Sequence, residues 1–174
     1  MDYDDKVQSA KNLHERARYI RGRFINYVAV IERDLGVILT EYFCTECENK
    51  RAIFFTQVIE KLSLEQKRST IIAIVKNDYP RFWEENKEYF KDLQKVQELR
   101  NKLAHSVLDV SENALSRPLE EGVGFVEWDK GNPITERELQ DWEVRANMIS
   151  STLSSIKQLL PFKERQGKDR DMHF

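Results

Sequence analysis

The sequence predicts an all-α fold: a four-to-five-helix up-and-down bundle with a small β-hairpin or extended insertion before the last helix. Three observations predict it. Apolar residues recur at steps of three and four through most of the 174 residues, which is the period of an amphipathic helix. Six glycines and four prolines are too few for a loop-rich or all-β chain. Capping signals stand where the periodic runs begin, and prolines stand where they stop. A composition 40% hydrophobic and 33% charged suits one core under a charged surface. At this length a single helical domain over 1–162 is expected, with a flexible charged tail at 163–174.

The first stripe runs Leu13, Ala17, Ile20, Phe24, Tyr27, Ile31, Leu35, Ile38 and Tyr42, one face of a long helix with Gly22 as the place for a bend. A second helix is expected over about Asn49 to Lys61, with Phe54, Phe55, Val58 and Ile59 in its apolar set. Ser63 with Gln66 three residues on forms a capping box. The helix it starts, carrying Leu64, Ile71, Ile74 and Val75, should end at Tyr79, because Pro80 disfavours helical geometry there. A fourth helix is predicted from Arg81 to about Ser106. Asp109 to Gly122 has no period and reads as a loop. From Val123 to Trp128 the residues alternate before a turn-like DKGNP, as in a short strand or hairpin. The segment 109–134 has no assignable role beyond this. Thr135 and Glu138 form a second capping box, Ile134 and Leu139 a hydrophobic staple, and the stripe Leu139, Trp142, Ala146, Ile149, Leu153, Ile156 and Leu160 ends at Pro161.

Several function classes are disfavoured at once. The longest apolar run falls far short of the roughly 20 residues a membrane span needs, so no membrane partner is expected. The acidic MDYDDK start, followed by no apolar stretch, does not read as a secretory signal. Two cysteines make no disulfide framework, and a cytoplasmic setting is expected. Net charge of −2 gives no global pull toward nucleic acid and disfavours a sequence-specific DNA binder, although a few well-placed arginines suffice for phosphate. Gly-rich phosphate loops and the G-x-S-x-G elbow are lacking.

The stretch that carries chemistry is ELRNKLAHS. Continuing the apolar stripe from Leu93 and Val96 by a step of four lands on Arg100, an arginine where a core residue is expected. A buried guanidinium needs a partner, a ligand or a second subunit. Asn101 and His105 are four apart and share a helix face beside it. The plainer reading pairs Arg100 with Glu98 or Asp109 and leaves His105 as a last-turn residue suited to the helix dipole.

Arg100-Asn101-x-x-x-His105, late in a charged helical chain, resembles the HEPN (higher eukaryotes and prokaryotes nucleotide-binding) superfamily. Its motif is an Arg, often followed by a polar residue, with a His a turn or so further on. The chain from about Arg18 to Leu160, with a long first helix and the motif before the final one, is similar as well. The resemblance implies a homodimer whose motif helices face each other. It also implies a metal-independent endoribonuclease acting on RNA, of the kind found among toxins and phage-defence effectors, with a cognate antitoxin as a further partner. No cofactor and no metal would be needed. Arg100 would hold the scissile phosphate, His105 would transfer the proton and Asn101 would orient them. The alternative is a non-catalytic HEPN-type dimer that binds a partner protein or a nucleotide. Residue chemistry agrees with the first: histidine moves protons near neutral pH, and arginine is a permanent bidentate donor to phosphate.

Weaker signals remain. Arg16, Arg18, Arg21 and Arg23, with Tyr19 and Phe24 interleaved, could line an RNA path, but a solvated face paired with acids on the next helix is the favoured reading. Cys44-Thr-Glu-Cys47 lacks both a thioredoxin-like setting and two further zinc ligands. Trp142 and the other stripe aromatics read as core, and His173 as part of the tail.

Overall fold

Asp4 and Asp5 sit in the first turn of the first helix, where carboxylates meet the positive end of the helix dipole. From there α1 (Tyr3–Phe43) continues as one helix of 41 residues, through Gly22, where nothing lies within 4 Å of an added Cβ. The computed structural model describes residues 3–44, 48–127 and 130–159. Trp128, the stop at Leu160–Pro161, Cys47 and the tail with His173 lie outside them.

The other helices are α2 (Glu48–Gln57), α3 (Leu64–Asp78), α4 (Pro80–Glu85), α5 (Lys87–His105), α6 (Glu112–Ser116) and α7 (Glu136–Leu159). Three short strands, β1 (Val107–Leu108), β2 (Gly124–Glu127) and β3 (Lys130–Thr135), form an antiparallel sheet in that order. The chain is therefore mainly helical with a small β element before the last helix. The expected Arg81–Ser106 helix is in fact two, α4 and α5, parted at Asn86, whose side chain turns back to donate to the Phe82 carbonyl (2.9 Å). The expected loop at Asp109–Gly122 holds α6, capped by Ser111 accepting from Ala114 N (3.3 Å), and a 3-10 turn at Leu119–Glu121.

The described chain packs into two compact units, each with its own core. The first comprises 3–28 and 96–146. Leu13, Ala17, Ile20, Phe24 and Val28 of α1 are buried in it, with Val96, Leu99, Leu103, Phe125, Ile134, Leu139 and Ala146. Leu108 pairs with Phe125, and Phe125 in turn with Ile134, which sets the sheet register and turns Val123 and Phe125 inward. Thr135 Oγ1 accepts from Glu138 N (3.1 Å), the cap expected at the start of α7.

The second unit comprises 29–95 and 147–159. Ile31, Leu35, Ile38 and Leu39 are buried here, with Ile59, Ile71, Val75, Phe90, Leu93, Ile149, Leu153 and Ile156. Both bonds of the capping box at α3 are formed: Gln66 N donates to Ser63 Oγ (3.2 Å) and Ser63 N to Gln66 Oε1 (2.8 Å). No described helix is long and apolar enough to cross a membrane.

Candidate functional site

The last turns of α5 decide where the motif points. Phe90, Leu93, Val96 and Leu99 are all buried and step by three. At about 100° per residue, each such step falls about 60° short of a full turn. The buried stripe therefore drifts around the helix, and by Leu99 and Leu103 it has left the line through Arg100. Arg100 is exposed, which corrects the expectation that it occupies a core position. The sequence allowed a step of three or of four after Val96, and the fold takes the step of three.

Asn101 and His105 are exposed as well. Arg100 Nη1 donates to Asn101 Oδ1 at 3.2 Å, so the guanidinium lies over the neighbouring amide. Asp109, one acid that might have neutralised Arg100, is 3.7 Å from Arg117 and accepts from Ser111 N (3.0 Å). Behind the motif the helix end is anchored: Leu103 is fully buried, and Ser106 Oγ donates to the Lys102 carbonyl (2.7 Å). An exposed polar arc on a fixed helix end leaves Arg100, Asn101 and His105 open to a large ligand.

The segment that follows His105 forms one wall of a groove. Ser106, Val107 and Leu108 line it with His14, Ala17, Arg18 and Arg21 of α1, around a volume of about 370 Å³. Arg21 spans its floor, donating to the Ser106 carbonyl (2.9 Å) with its guanidinium carbon 4.7 Å above the Phe125 ring. His14 belongs to no motif in the sequence. Its presence here follows from β1, a two-residue strand that local pattern cannot reveal.

The basic cluster on α1 is divided by the fold. Arg16 grips Glu136 with two bonds, Nε to Oε2 (2.8 Å) and Nη2 to Oε1 (2.9 Å). Arg23 pairs with Glu143, which is 5% exposed at its side chain. Both partners advance by seven residues, so α1 and α7 run in the same direction in this unit. Arg16 and Arg23 thus pair with acids, as the plainer reading held, although on α7 and not on the next helix. Arg18 is exposed and lines the groove.

Glu136 is the densest node of this unit. Besides Arg16, its carboxylate accepts from Val123 N (3.1 Å) and Gln140 Nε2 (3.0 Å). Burial opposes its ionisation, but the bonds from Arg16 and Val123 and the charges of Arg16 and Arg23 outweigh that, holding it below the usual carboxylate range.

Cys44 is a half-buried thiol whose carbonyl accepts from Arg51 Nε (3.0 Å). Among the described residues no group of three or more His, Cys, Asp or Glu side chains is placed to hold a metal ion. Compared with protein-family models, curated proteins and solved structures, the chain matches none.

Proposed function

We propose that the Arg100–Asn101–His105 arc is the site of a metal-independent endoribonuclease of the HEPN type, active as a homodimer. The observation that carries this reading is the arc itself: a guanidinium held against an amide, with a histidine one turn on, all exposed on an anchored helix end. Cleaving RNA without a metal needs a base to take the 2′-OH proton as that oxygen attacks phosphorus. An acid must protonate the 5′-oxygen as the P–O5′ bond breaks, leaving a 2′,3′-cyclic phosphate and a 5′-hydroxyl. His105 moves the proton, Arg100 neutralises the charge that grows on the phosphate oxygens, and Asn101 holds Arg100. One motif supplies one histidine, so a second copy supplies the other proton-transfer group. Arg18 and His14, along the groove that begins at Ser106, supply contacts for the strand.

The test is cleavage of a labelled single-stranded RNA, with dimer fraction measured by sedimentation. His105→Ala should lower cleavage by about 10²-fold or more. Arg100→Ala should do likewise, and the double variant should be scarcely worse, because both act on one transition state. All three should unfold within about 0.5 kcal/mol of the wild type, because the side chains removed are exposed. EDTA should leave the rate unchanged. Undiminished cleavage by His105→Ala removes the assignment. A wild type that never cleaves, with both variants losing dimer or partner binding, establishes the non-catalytic reading instead.

A further inference from the structure

Trp83 lies outside every apolar stripe in the sequence, and the structure gives it an unusual setting. The break at Asn86 ends α4 and lets α5 begin at Lys87, which brings Trp83 against Phe90, ring centroids 4.9 Å apart and planes 34° from each other. Lys76, from the end of α3, holds its ammonium 4.4 Å from the indole centroid. Around them Ile72, Lys87, Lys91 and Gln94 close a pocket of about 250 Å³. Every one of these residues belongs to the second unit.

We propose that this pocket binds one nucleotide, its base against Trp83 and its phosphate on the lysines. An indole flanked by cations is the usual means of holding a base without reading its sequence. Three lysines in one pocket are a poor fit to an apolar or cationic ligand. Two of them are held by surface carboxylates one turn back, Lys87 by Glu84 (2.6 Å) and Lys91 by Glu88, and such exposed pairs yield readily to a doubly charged phosphate. Lys76 has no such carboxylate among the ion pairs of the described residues and rests on the ring, so an arriving base displaces it toward the phosphate. Gln94, whose Oε1 accepts from Arg68 Nη1 (3.4 Å), completes the wall. A volume of about 250 Å³ is just under the roughly 300–1,000 Å³ of small-molecule pockets, which leaves no room for a larger cofactor. The nucleotide is either free or one residue of a single strand, and the chemistry is the same. This pocket does not depend on the motif in α5 being catalytic.

The experiment is calorimetric titration of the whole chain at low salt with adenosine monophosphate, a short oligoadenylate, adenosine and inorganic phosphate. The nucleotide or the oligomer should bind saturably and at least tenfold more tightly than adenosine or phosphate alone. Trp83→Leu should weaken binding by about tenfold or more, the scale of one lost base stack. Because Trp83 is half-buried, the exposed pair Lys76→Glu and Lys91→Glu provides a variant that keeps the fold and should abolish binding. The Lys76→Glu/Lys91→Glu variant should lose adenosine monophosphate binding whether or not the wild type cleaves RNA, which separates this site from the nuclease reading. Binding by the oligomer alone that is lost in the Lys76→Glu/Lys91→Glu variant identifies a single strand as the source, and binding by both that is lost in it identifies a free nucleotide as a ligand too. No saturable binding by either, phosphate binding as tightly as nucleotide, or undiminished binding by the Lys76→Glu/Lys91→Glu variant overturns the proposal.

Discussion

Removing the Glu136 carboxylate tests whether the four donors around it hold the first unit together. In Glu136→Ala, the Val123 N–H loses its side-chain acceptor in a residue only 3% exposed, and an orphaned buried donor costs about 1–3 kcal/mol. Arg16 is a third exposed at its side chain and can turn to water, so its lost pair adds less than a buried ion pair would, on the order of 1 kcal/mol. Loss of a first-turn carboxylate from α7 adds about 0.5 kcal/mol through the helix dipole. The expected destabilisation is about 3 kcal/mol, with Glu136→Gln between Ala and the wild type because it keeps one acceptor. The pH dependence has a definite sign. A carboxyl held below its ordinary value stabilises the fold above that value and loses the contribution as pH falls through its folded pKa. The gap between wild type and Glu136→Gln should therefore be constant near neutrality and close below about pH 4. Urea unfolding followed by circular dichroism at pH 7 and at lower pH measures both. A Glu136→Ala protein within 0.5 kcal/mol of wild type at pH 7, on the scale of an inert surface change, would refute the accounting.

Gly122 has φ +83°, and an added Cβ would lie 3.0 Å from Glu136 Oε2. Gly122→Ala should cost about 1–3 kcal/mol of strain, less in a Glu136→Ala background, as a double-mutant cycle in urea would show. Tyr89 places its hydroxyl in the interior without a hydrogen-bond partner among the described residues, and burial with the nearby Asp34 charge raises its pKa strongly. Tyr89→Phe should leave stability unchanged or raise it by up to about 1 kcal/mol; a fall of that size would show that the hydroxyl is bonded after all.

What the sequence could reveal depended on how far its causes reach. The α1 stripe and the Ser63 cap are local effects, settled by residues three or four apart; the cap stands, and so does the stripe except that Val28 and Leu39 are buried while Tyr27 and Tyr42 are half-buried. Even so, α1 starts near Tyr3, well before Leu13, the first position of the predicted stripe, with acidic residues in its first turn. Asn86 was missed because no proline or glycine marks the break; the cause is a side chain folding onto its own preceding turn. β1 was missed because its two residues have meaning only beside Phe125 and Val126. Arg100 was misplaced by one helical step, since a stripe in single sequence cannot show its own drift. The motif residues were legible as chemical types, while their exposure was not.

The arginines of α1 show the same limit and carry the last prediction. Their pairing with acids was expected, but Glu136 and Glu143 lie 120 residues away, a distance over which composition says nothing about contact. The consequence is electrostatic. With Arg16 and Arg23 committed to carboxylates and Arg21 to a carbonyl and a ring, Arg18 is the member of the cluster left facing the groove. Each phosphate neutralised on a single strand contributes about −0.7 to the slope of log K against log salt. Arg18→Gln should therefore weaken RNA binding and flatten that slope by about 0.7 per chain. Arg16→Gln should leave the slope unchanged while lowering stability, because its charge is spent on Glu136. Fluorescence anisotropy of a labelled RNA with the His105→Ala protein, over a range of salt, separates the two. If Arg16→Gln flattens the slope as much as Arg18→Gln, the pairing with Glu136 opens to RNA, and the division of the cluster is wrong.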